Sequence, residues 1–552
     1  MNKYKKLMSN TLIFAIGTFS SKILTILMTR FNTAALGSDF GTASVLQDMG
    51  NVLIPLFSLQ IVDGVTRFGL DRRYNKKDVF TVSLLVTCIG AAVLLILSPL
   101  LEKIPGLTFI QGRSLLVAIF VFTSSLRNMC SQFVRAREMV KLYAFEGILT
   151  TFTTVVFTLL FLYPLHMGVT GFMLGIILPD LLGAIFLFWI ADLKQFVRFR
   201  GLDHLTAAQM LKYSAPLIPN KIAFWITNCS DRMMVQVMTN KTISSVFAAS
   251  YKIPNLISLV VSVFLDAWQM SSITEEKGRA RFFTQVFHAM SAIIFVGSAL
   301  VILLCRPLIN LLTAHSFHVG WVYVPILVLA TAFSCLCSFL GTVYMVEKRS
   351  INNMVTTIIA AVINVILNLL LIRKWGPQGA ATATLISYLV MFVIRVIDTR
   401  RFIRVHFSPM RLLADSLLLS FEAFVMIKNV SHSILYCALL TLLMIIMNFQ
   451  PLMQSVRKVL PANVLEKMPT WLSGEKKSVS VQKAAPHTES THTREAFARD
   501  EEYARSKKPA PQQHHSHGSS SVDEEDGFDY EAYLQEQAKK EDKDFSHDRY
   551  RH

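Results

Sequence analysis

The chain has 552 residues, 53% of them hydrophobic and only 16% charged, and its formal net charge is +17. Its apolar residues occur in long blocks, a composition that excludes an ordinary soluble domain and indicates an integral membrane protein with a polar tail. The basic excess does not indicate nucleic-acid binding, because the segment from Pro461 onward holds 14 Lys and Arg against 18 Asp and Glu. The positive charge therefore lies in the membrane part, where basic cytoplasmic loops account for it.

The apolar blocks predict an all-α membrane protein with about fourteen transmembrane helices, since a helix needs about 20 apolar residues to cross a bilayer. The predicted spans lie near residues 7–29, 44–67, 79–101, 114–134, 144–164, 168–190, 213–237, 245–270, 284–305, 321–345, 354–372, 379–396, 411–428 and 433–450. The first block continues past Met28 without a small-residue cleavage site, so it is interpreted as a span and not as a signal peptide. The last two spans are the weakest, because the first of them is short and holds Asp415 and Glu422.

The loop charges predict the orientation of the chain. About 23 Lys and Arg fall on the side of the N-terminus and about 8 on the other side, so the positive-inside rule places both termini in the cytoplasm. Fourteen spans divide as six, six and two, an arrangement typical of transporters built from parallel repeats. We therefore expect a six-helix lobe over 1–200, a second six-helix lobe over 201–405, two additional helices over 406–455 and a cytoplasmic tail over 456–552.

The tail is rich in Lys, Glu, Ser, Pro and His, and it has no apolar run long enough to span a bilayer. Such a segment cannot bury enough surface to offset its conformational entropy, so it is predicted to be disordered. A short helix over 528–540 could dock polysaccharide-assembly proteins, although a solvated acidic segment is the simpler interpretation. His514, His515 and His517 are interpreted as polar filler, and the seven cysteines as packing residues. No metal and no cofactor is expected.

The stretch from Leu211 to Met270 is apolar enough for two spans and yet carries five charges. They are Lys221, Asp231, Arg232, Lys252 and Asp266. A charge at the bilayer centre costs about 2.5–3.5 kcal/mol on insertion scales, so these side chains are predicted to face a wet cavity or one another. The stretch is therefore predicted to line a polar path.

The same stretch also resembles a known family. Four segments are similar to the start of the second half of Wzx-type polysaccharide flippases: Tyr213 to Asn220 (YSAPLIPN), Asp231-Arg232, Ser250 to Pro254 (SYKIP) and Ala267 to Gln269 (AWQ). That family belongs to the MOP superfamily, with the lipid II flippases and the MATE drug exporters. The resemblance extends more weakly from about Lys6 to about Arg400, and it implies a MATE-like fold.

The resemblance implies a flippase that moves a polyprenyl-pyrophosphate-linked oligosaccharide across the bacterial cytoplasmic membrane, with its prenyl tail left in membrane lipid. A pyrophosphate needs cations in a low-dielectric cleft, where charge-assisted hydrogen bonds are strongest. The predicted pyrophosphate-binding residues are Lys22, Lys221, Arg232, Lys252 and Arg67. Lys22 resembles a basic residue in the first span of lipid II flippases, but residues 26–28 are apolar where those proteins have a second one.

Five acids in the spans are predicted to couple transport to H⁺ or Na⁺, since an ionisable side chain at membrane depth is by default a functional candidate. They are Asp48, Asp63, Asp180, Asp231 and Asp266. Two structural alternatives stay open: Asp63 can pair with Arg67, four residues along the same helical face, and Asp231 can pair with a nearby cation. Arg127, near the inner end of the fourth span, is expected to extend to the cytoplasm.

Other functions also remain open. The protein could flip lipid II, export drugs as MATE proteins do, polymerise polysaccharide in the membrane, or serve as a scaffold. Drug export is disfavoured by the deep Lys and Arg, because a site for organic cations favours acids and aromatics. A polymerase generally needs a catalytic domain outside the bilayer, whereas the longest external loop here runs only from about Arg306 to Gly320.

Overall fold

The computed structural model describes residues 23–71, 73–103, 108–274, 279–347 and 349–459. These residues form α-helices joined by short loops and 3-10 turns, and they contain no β-strand. The α-helices, numbered in chain order, are α1 (23–36), α2 (Phe40–Phe57), α3 (Ile61–Leu70), α4 (Lys76–Leu101), α5 (Ser114–Ala136), α6 (Val140–Leu162), α7 (Gly168–Ile190), α8 (His204–Ser214), α9 (Ile218–Met238), α10 (Lys241–Ser250), α11 (Asn255–Thr274), α12 (Arg279–Leu303), α13 (Cys305–Leu312), α14 (Val324–Val346), α15 (Ser350–Trp375), α16 (Pro377–Thr399), α17 (Pro409–Lys428) and α18 (Ser433–Val459). The predicted all-α membrane fold is confirmed.

Among the described residues, nine helices are long and apolar enough to cross a membrane, and the number rises to 11 if each bent pair counts as one span. All of these coincide with predicted spans, but the predicted number of fourteen is not confirmed. Most of the first predicted span, 7–29, lies outside the described residues. Helices α9 and α17, at the seventh and thirteenth predicted spans, do not qualify because of their charges, which are Lys221, Asp231 and Arg232 in α9 and Arg411, Asp415, Glu422 and Lys428 in α17.

Two of the predicted spans are each broken into two helices. The span predicted at 44–67 consists of α2 and α3, and the helical segments on either side of residues 58–60 differ in direction by 55°. Gln60 has a positive φ of 51°, a left-handed conformation that does not continue a helix. The span predicted at 245–270 consists of α10 and α11, which meet at 41° near Pro254, a residue without the N–H that a helix needs. Such breaks occur at membrane depth where the backbone is buried in protein or lines a cavity.

The helices pack around several apolar clusters. The largest joins buried side chains of α11 to α18, among them Phe287 and Phe339, and a second joins α2, α4, α5 and α7. Helix α2 also contacts α9 and α10, which are distant from it in the sequence. The contact with α10 is close because Gly41 has no side chain: a Cβ there would lie 2.8 Å from the backbone nitrogen of Ser245. The division into lobes at residues 200 and 405 stays a prediction.

The last two helices, α17 and α18, are joined by two buried polar pairs. Asn448 Nδ2 donates to Asp415 Oδ1 at 2.8 Å, and Thr441 Oγ1 donates to Glu422 Oε1 at 2.9 Å. Asp415 and Glu422 are fully buried. As one helix advances by seven residues the other recedes by seven, so the hairpin is antiparallel and its register is fixed by both pairs.

The remaining structural predictions concern the two ends of the chain and the cysteines. Helix α18 continues to Val459 and so enters the segment predicted as tail, which starts at 456. The rest of that tail, with the proposed helix at 528–540, lies outside the described residues, as do residues 1–22. All seven cysteines are free and five of them are buried, as expected of packing residues.

Candidate functional site

Arg232 and Asp48 meet where α9 contacts α2. The guanidinium nitrogen Nη1 lies 2.9 Å from Asp48 Oδ2, and both side chains are mostly buried. The contact is ionic without being an aligned hydrogen bond, since Asp48 Oδ2 has no hydrogen-bond donor among the described residues. Arg232 Nη2 donates to Cys229 Sγ at 2.9 Å, and its Cζ lies 5.1 Å from the centroid of the Tyr251 ring. A predicted anion ligand and a predicted ion-coupling acid thus form one ion pair between α2 and α9.

A polar cavity of about 340 Å³ lies among α1, α2, α5, α6 and α7. Its lining is rich in hydroxyl and amide side chains, namely Thr25, Thr29, Asn32, Gln47, Asn51, Ser124, Asn128, Thr150, Thr151, Thr154 and Thr158. Lys252, from the turn between α10 and α11, also lines this cavity, as do Arg127 and Asp180. A predicted pyrophosphate ligand therefore shares a cavity with a predicted ion-coupling acid. The neutral lining offers the donors and acceptors that bind sugar hydroxyls.

Asp180 belongs to a charged network at the wall of this cavity. Arg127 Nε lies 2.7 Å from Asp180 Oδ1, and Arg127 Nη1 lies 3.2 Å from Glu146 Oε1. Ser124 donates to the second oxygen of Asp180, and further hydroxyls of α5 and α6 donate to Glu146. One arginine thus faces two buried carboxylates, so the network carries one uncompensated negative charge when both acids are ionised.

The network depends on close packing of α7 against α6. Gly183 leaves the necessary space, because a Cβ there would lie 2.8 Å from Thr150 Oγ1 and 3.1 Å from Glu146 Oε1. Small residues at such positions let helices in membranes approach closely. The expectation that Arg127 extends to the cytoplasm is wrong, since its guanidinium is held by the acids of α6 and α7. Neither Arg127 nor Glu146 is among the predicted site residues.

Asp231 lies in a second polar cluster, fully buried among α9, α15 and α16. Its Oδ2 accepts a hydrogen bond from Thr384 Oγ1 at 3.2 Å, and Thr384 Oγ1 accepts one from Asn364 Nδ2 at 3.1 Å. Asn364 Oδ1 accepts from Ser230 Oγ at 2.8 Å and from Asn368 Nδ2 at 3.0 Å. The cluster brings together one carboxylate, two amides and two hydroxyls. The amides recur four residues apart in an apolar run, a signal that the sequence analysis did not use.

The ion pairs considered from the sequence are not formed among the described residues. Asp231 is held by neutral side chains, and the guanidinium next to it contacts another acid. Asp63 Oδ2 lies 3.9 Å from Lys221 Nζ, a long contact between two partly exposed side chains. Arg67 stacks on the aromatic ring of Tyr213, with its Cζ 4.7 Å from the centroid. Asp63, Lys221 and Arg67 are not part of the lining of the polar cavity.

The side chains of two predicted site residues lie outside the described part of the structure. Lys22 lies outside the described residues. Asp266 lies in α11, but its side chain is likewise outside the description. Their predicted roles in binding pyrophosphate and in ion coupling stay predictions.

Comparison with known proteins identifies a family to which the chain belongs. A family model described as "Polysaccharide biosynthesis protein" matches residues 38–322, slightly more than half of the chain. The match includes Asp48, Asp180, Arg232 and Lys252. None of the curated proteins compared with the chain matches it.

Solved structures with the same fold are transporters. "Lipid II flippase MurJ, inward closed conformation" matches with a TM-score of 0.59 at 15% identity, covering 81% of this chain and 99% of that one. The MATE multidrug transporter DinF-BH matches with a TM-score of 0.56 at 15% identity, covering 72% and 95%. An inward-facing multidrug resistance MATE family transporter of the MOP superfamily matches with a TM-score of 0.55 at 14% identity, covering 70% and 98%. At such identities the likeness establishes the fold.

Proposed function

The chain belongs to the polysaccharide biosynthesis protein family of the MOP superfamily, and from this membership we propose that it flips a polyprenyl-pyrophosphate-linked oligosaccharide. Transport takes place in the bacterial cytoplasmic membrane, from the cytoplasmic to the outer leaflet, with both termini of the chain in the cytoplasm. The two six-helix lobes alternate access to the substrate while the prenyl tail stays in lipid.

The observation that carries this proposal is the polar cavity with Lys252 at its wall. A pyrophosphate requires a cation shielded from water, and Lys252 lines this cavity as that cation, whereas the guanidinium of Arg127 is already engaged by Asp180 and Glu146. Sugars require many neutral donors and acceptors, which the Thr, Asn and Gln side chains of the lining supply. Lys252 comes from the predicted second lobe (201–405), and the other lining residues come from the predicted first lobe (1–200). An anion bound there would therefore contact both lobes.

The Arg232–Asp48 pair lies outside the cavity lining, and its arginine is proposed as a second, switchable cation for the substrate. Asp48 neutralises the charge of Arg232 while the two side chains lie 2.9 Å apart. A pyrophosphate therefore binds Arg232 only when this ion pair separates. Protonation of Asp48 or movement of α2 away from α9 separates them. Substrate binding and the relative movement of α2 and α9 are therefore coupled through one charge.

Ion coupling is proposed at Asp231, in the cluster of carboxylate, amide and hydroxyl oxygens. Such hard oxygen donors suit H⁺ or Na⁺. The cluster joins α9 to α15 and α16, and α9 also carries Arg232 on the following residue. Occupancy of Asp231 by a cation thus acts on the helix that holds the anion ligand. Asp180 is a second candidate, because its network has one more acid than base.

Lipid II is the alternative cargo. It shares the polyprenyl pyrophosphate, so the cavity cations suit it equally, and the fold includes the lipid II flippase MurJ. The deep Lys and Arg still disfavour export of organic cations. A polymerase and a scaffold have no supporting observation in the cavity.

Complementation tests the role of Lys252. A strain lacking the gene is supplied with the wild-type chain, Lys252→Gln or the matched control Lys194→Gln, whose side chain is 81% exposed. Surface polysaccharide should be restored by the wild type and the control but not by Lys252→Gln, at equal abundance in the membrane. Full restoration by Lys252→Gln would contradict the proposed anion site.

A further inference from the structure

A second concave feature lies between α15 and α16, apart from the cavity and the clusters described above. It is a groove of about 400 Å³ with isoleucine and valine walls. Ile351, Val355 and Ile397 keep 71%, 45% and 59% of their surface exposed on the protein, so the walls face the surroundings of the chain. Of its polar lining residues, Asn352 lies in the first turn of α15, Thr356 lies one turn further along, and Asp398 and Arg401 lie at the end of α16 and just after it.

The acid of this groove is already engaged by neutral donors. Asp398 Oδ2 accepts hydrogen bonds from Tyr344 Oη at 2.9 Å and from Asn352 Nδ2 at 3.0 Å. These contacts direct one carboxylate oxygen toward α14 and α15. Arg401 lines the same end of the groove and is exposed.

Further arginines near this end outnumber the carboxylate of Asp398. Arg349 and Arg400 are exposed and lie within two residues of the lining residues Ile351 and Arg401 in the sequence, with their guanidinium carbons 5.5 Å and 5.7 Å from the ring centroids of Phe402 and Phe407. Arg395, one turn before the acid, is 4% exposed and donates to neutral acceptors of α14 and α15. Its charge is therefore not cancelled by a carboxylate there.

We propose that this groove is a binding site for an anionic phospholipid of the surrounding bilayer. An acyl chain lies along the isoleucine and valine walls, and the phosphate lies beside Arg401, where a guanidinium forms charge-assisted hydrogen bonds with phosphate oxygens. Basic pockets between transmembrane helices bind lipid head groups in this way. The groove shares no residue with the polar cavity. This site is therefore independent of the proposed transport.

Native mass spectrometry of the full-length protein tests the site. The protein is released from nanodiscs that contain equal amounts of phosphatidylglycerol and phosphatidylethanolamine, and the retained lipids are counted. Arg401→Gln removes the charge at the head-group end, and Val355→Trp fills the apolar groove. Arg200→Gln, an exposed arginine in the loop between α7 and α8, is the matched control.

The wild type and the control should retain phosphatidylglycerol in preference to phosphatidylethanolamine. Arg401→Gln should lower the apparent affinity for phosphatidylglycerol about fivefold, because one basic residue near an anionic lipid contributes about 1 kcal/mol. Val355→Trp should lower retention of phosphatidylglycerol while the charges remain. Retention in Val355→Trp equal to that of the wild type would overturn the site, as would an equal loss in Arg200→Gln. Displacement of phosphatidylglycerol by an added polyprenyl phosphate would assign the groove to the substrate instead and overturn the proposal.

Discussion

Arg232 is the residue on which the proposed anion site and the ion pair between α2 and α9 both depend. Breaking a buried ion pair by removing one partner costs about 3–5 kcal/mol when the other charge stays buried. Arg232 and Asp48 keep 12% and 15% of their side-chain surface exposed, so partial hydration lowers that cost. Arg232→Ala is therefore expected to abolish transport while the protein still inserts, as measured by polysaccharide export and by membrane abundance.

A charge swap separates the two roles of Arg232. In Asp48→Arg/Arg232→Asp the ion pair is re-formed with reversed polarity, so abundance should recover to that of the wild type. Transport should not recover, because the cation now lies on α2. Recovery of transport by the swap would show that the pair only holds α2 to α9, against a role in anion binding.

Asp231 is the residue expected to respond to the coupling ion. Asp231→Asn keeps an acceptor for Thr384 but removes the negative charge on which a cation depends. In proteoliposomes, the part of transport that is stimulated by an imposed H⁺ or Na⁺ gradient should disappear. Asp192→Asn, at a side chain 52% exposed, should leave that stimulation unchanged. A gradient response in Asp231→Asn equal to that of the wild type would move the coupling site elsewhere.

The sequence identified charged residues within the helices but not the partners that these residues contact. Arg232, Lys252, Asp180 and Asp231 stand out because a charge in an apolar run is costly unless it is solvated or paired. Their partners are not readable in this way, since the hydrogen bond from Thr384 to Asp231 joins positions 153 apart and that from Ser230 to Asn364 joins positions 134 apart. Contacts of that kind follow from how helices pack, which hydropathy does not encode.

At the scale of elements, the α17–α18 hairpin depends on its buried polar pairs. Glu422 Oε1 accepts from Thr441, while Oε2 is buried without a hydrogen-bond partner among the described residues. Glu422→Gln keeps the acceptor and removes a carboxyl without a counter-ion, so the thermal unfolding temperature in detergent should stay the same or rise. Glu422→Ala leaves the Thr441 hydroxyl without its acceptor and should destabilise the hairpin by about 1–3 kcal/mol. Equal destabilisation by Gln and Ala would show that the hydrogen bond contributes nothing.

Hydropathy located the helices more reliably than it located their breaks. The span predicted at 245–270 contains Pro254, so a bend there could be expected from the missing N–H. The break after Phe57 depends on a left-handed backbone at Gln60, a residue type that does not favour that conformation. Hydropathy also failed for the charged helices α9 and α17. Their acids Asp231, Asp415 and Glu422 are buried against other helices, so these helices form despite their charges.

At the scale of the whole molecule, transport is expected to need the helices and not the polar tail. A chain ending at Pro461 keeps every described helix, including α18, which ends at Val459. Deletion of the residues after 461 should therefore leave polysaccharide export and membrane abundance close to those of the wild type. Loss of the truncated protein from the membrane would assign a structural role to the tail, and normal abundance with lost export would assign it a role in recruiting assembly proteins.

The fold class followed from the apolar blocks and from the resemblance carried by four short segments. The predicted number of spans is not confirmed and the lobe boundaries stay predictions, because both depend on how charged and broken helices are accommodated. The family match over residues 38–322 and the similarity in fold to the lipid II flippase MurJ agree with the resemblance. The identity of the cargo depends on its sugars, and the hydroxyl and amide side chains that line the polar cavity suit many different sugars.

Leaflet-resolved lipid analysis tests the transport claim most directly. The gene is depleted, the polyprenyl-linked intermediates are extracted and identified by mass spectrometry, and leaflet-specific labelling assigns each to one side of the membrane. A flippase of this class predicts that an oligosaccharide-pyrophosphate lipid accumulates in the inner leaflet. Accumulation in the outer leaflet would contradict this and indicate a polymerase or ligase, and no accumulation together with altered sensitivity to cationic compounds would contradict it in favour of drug export.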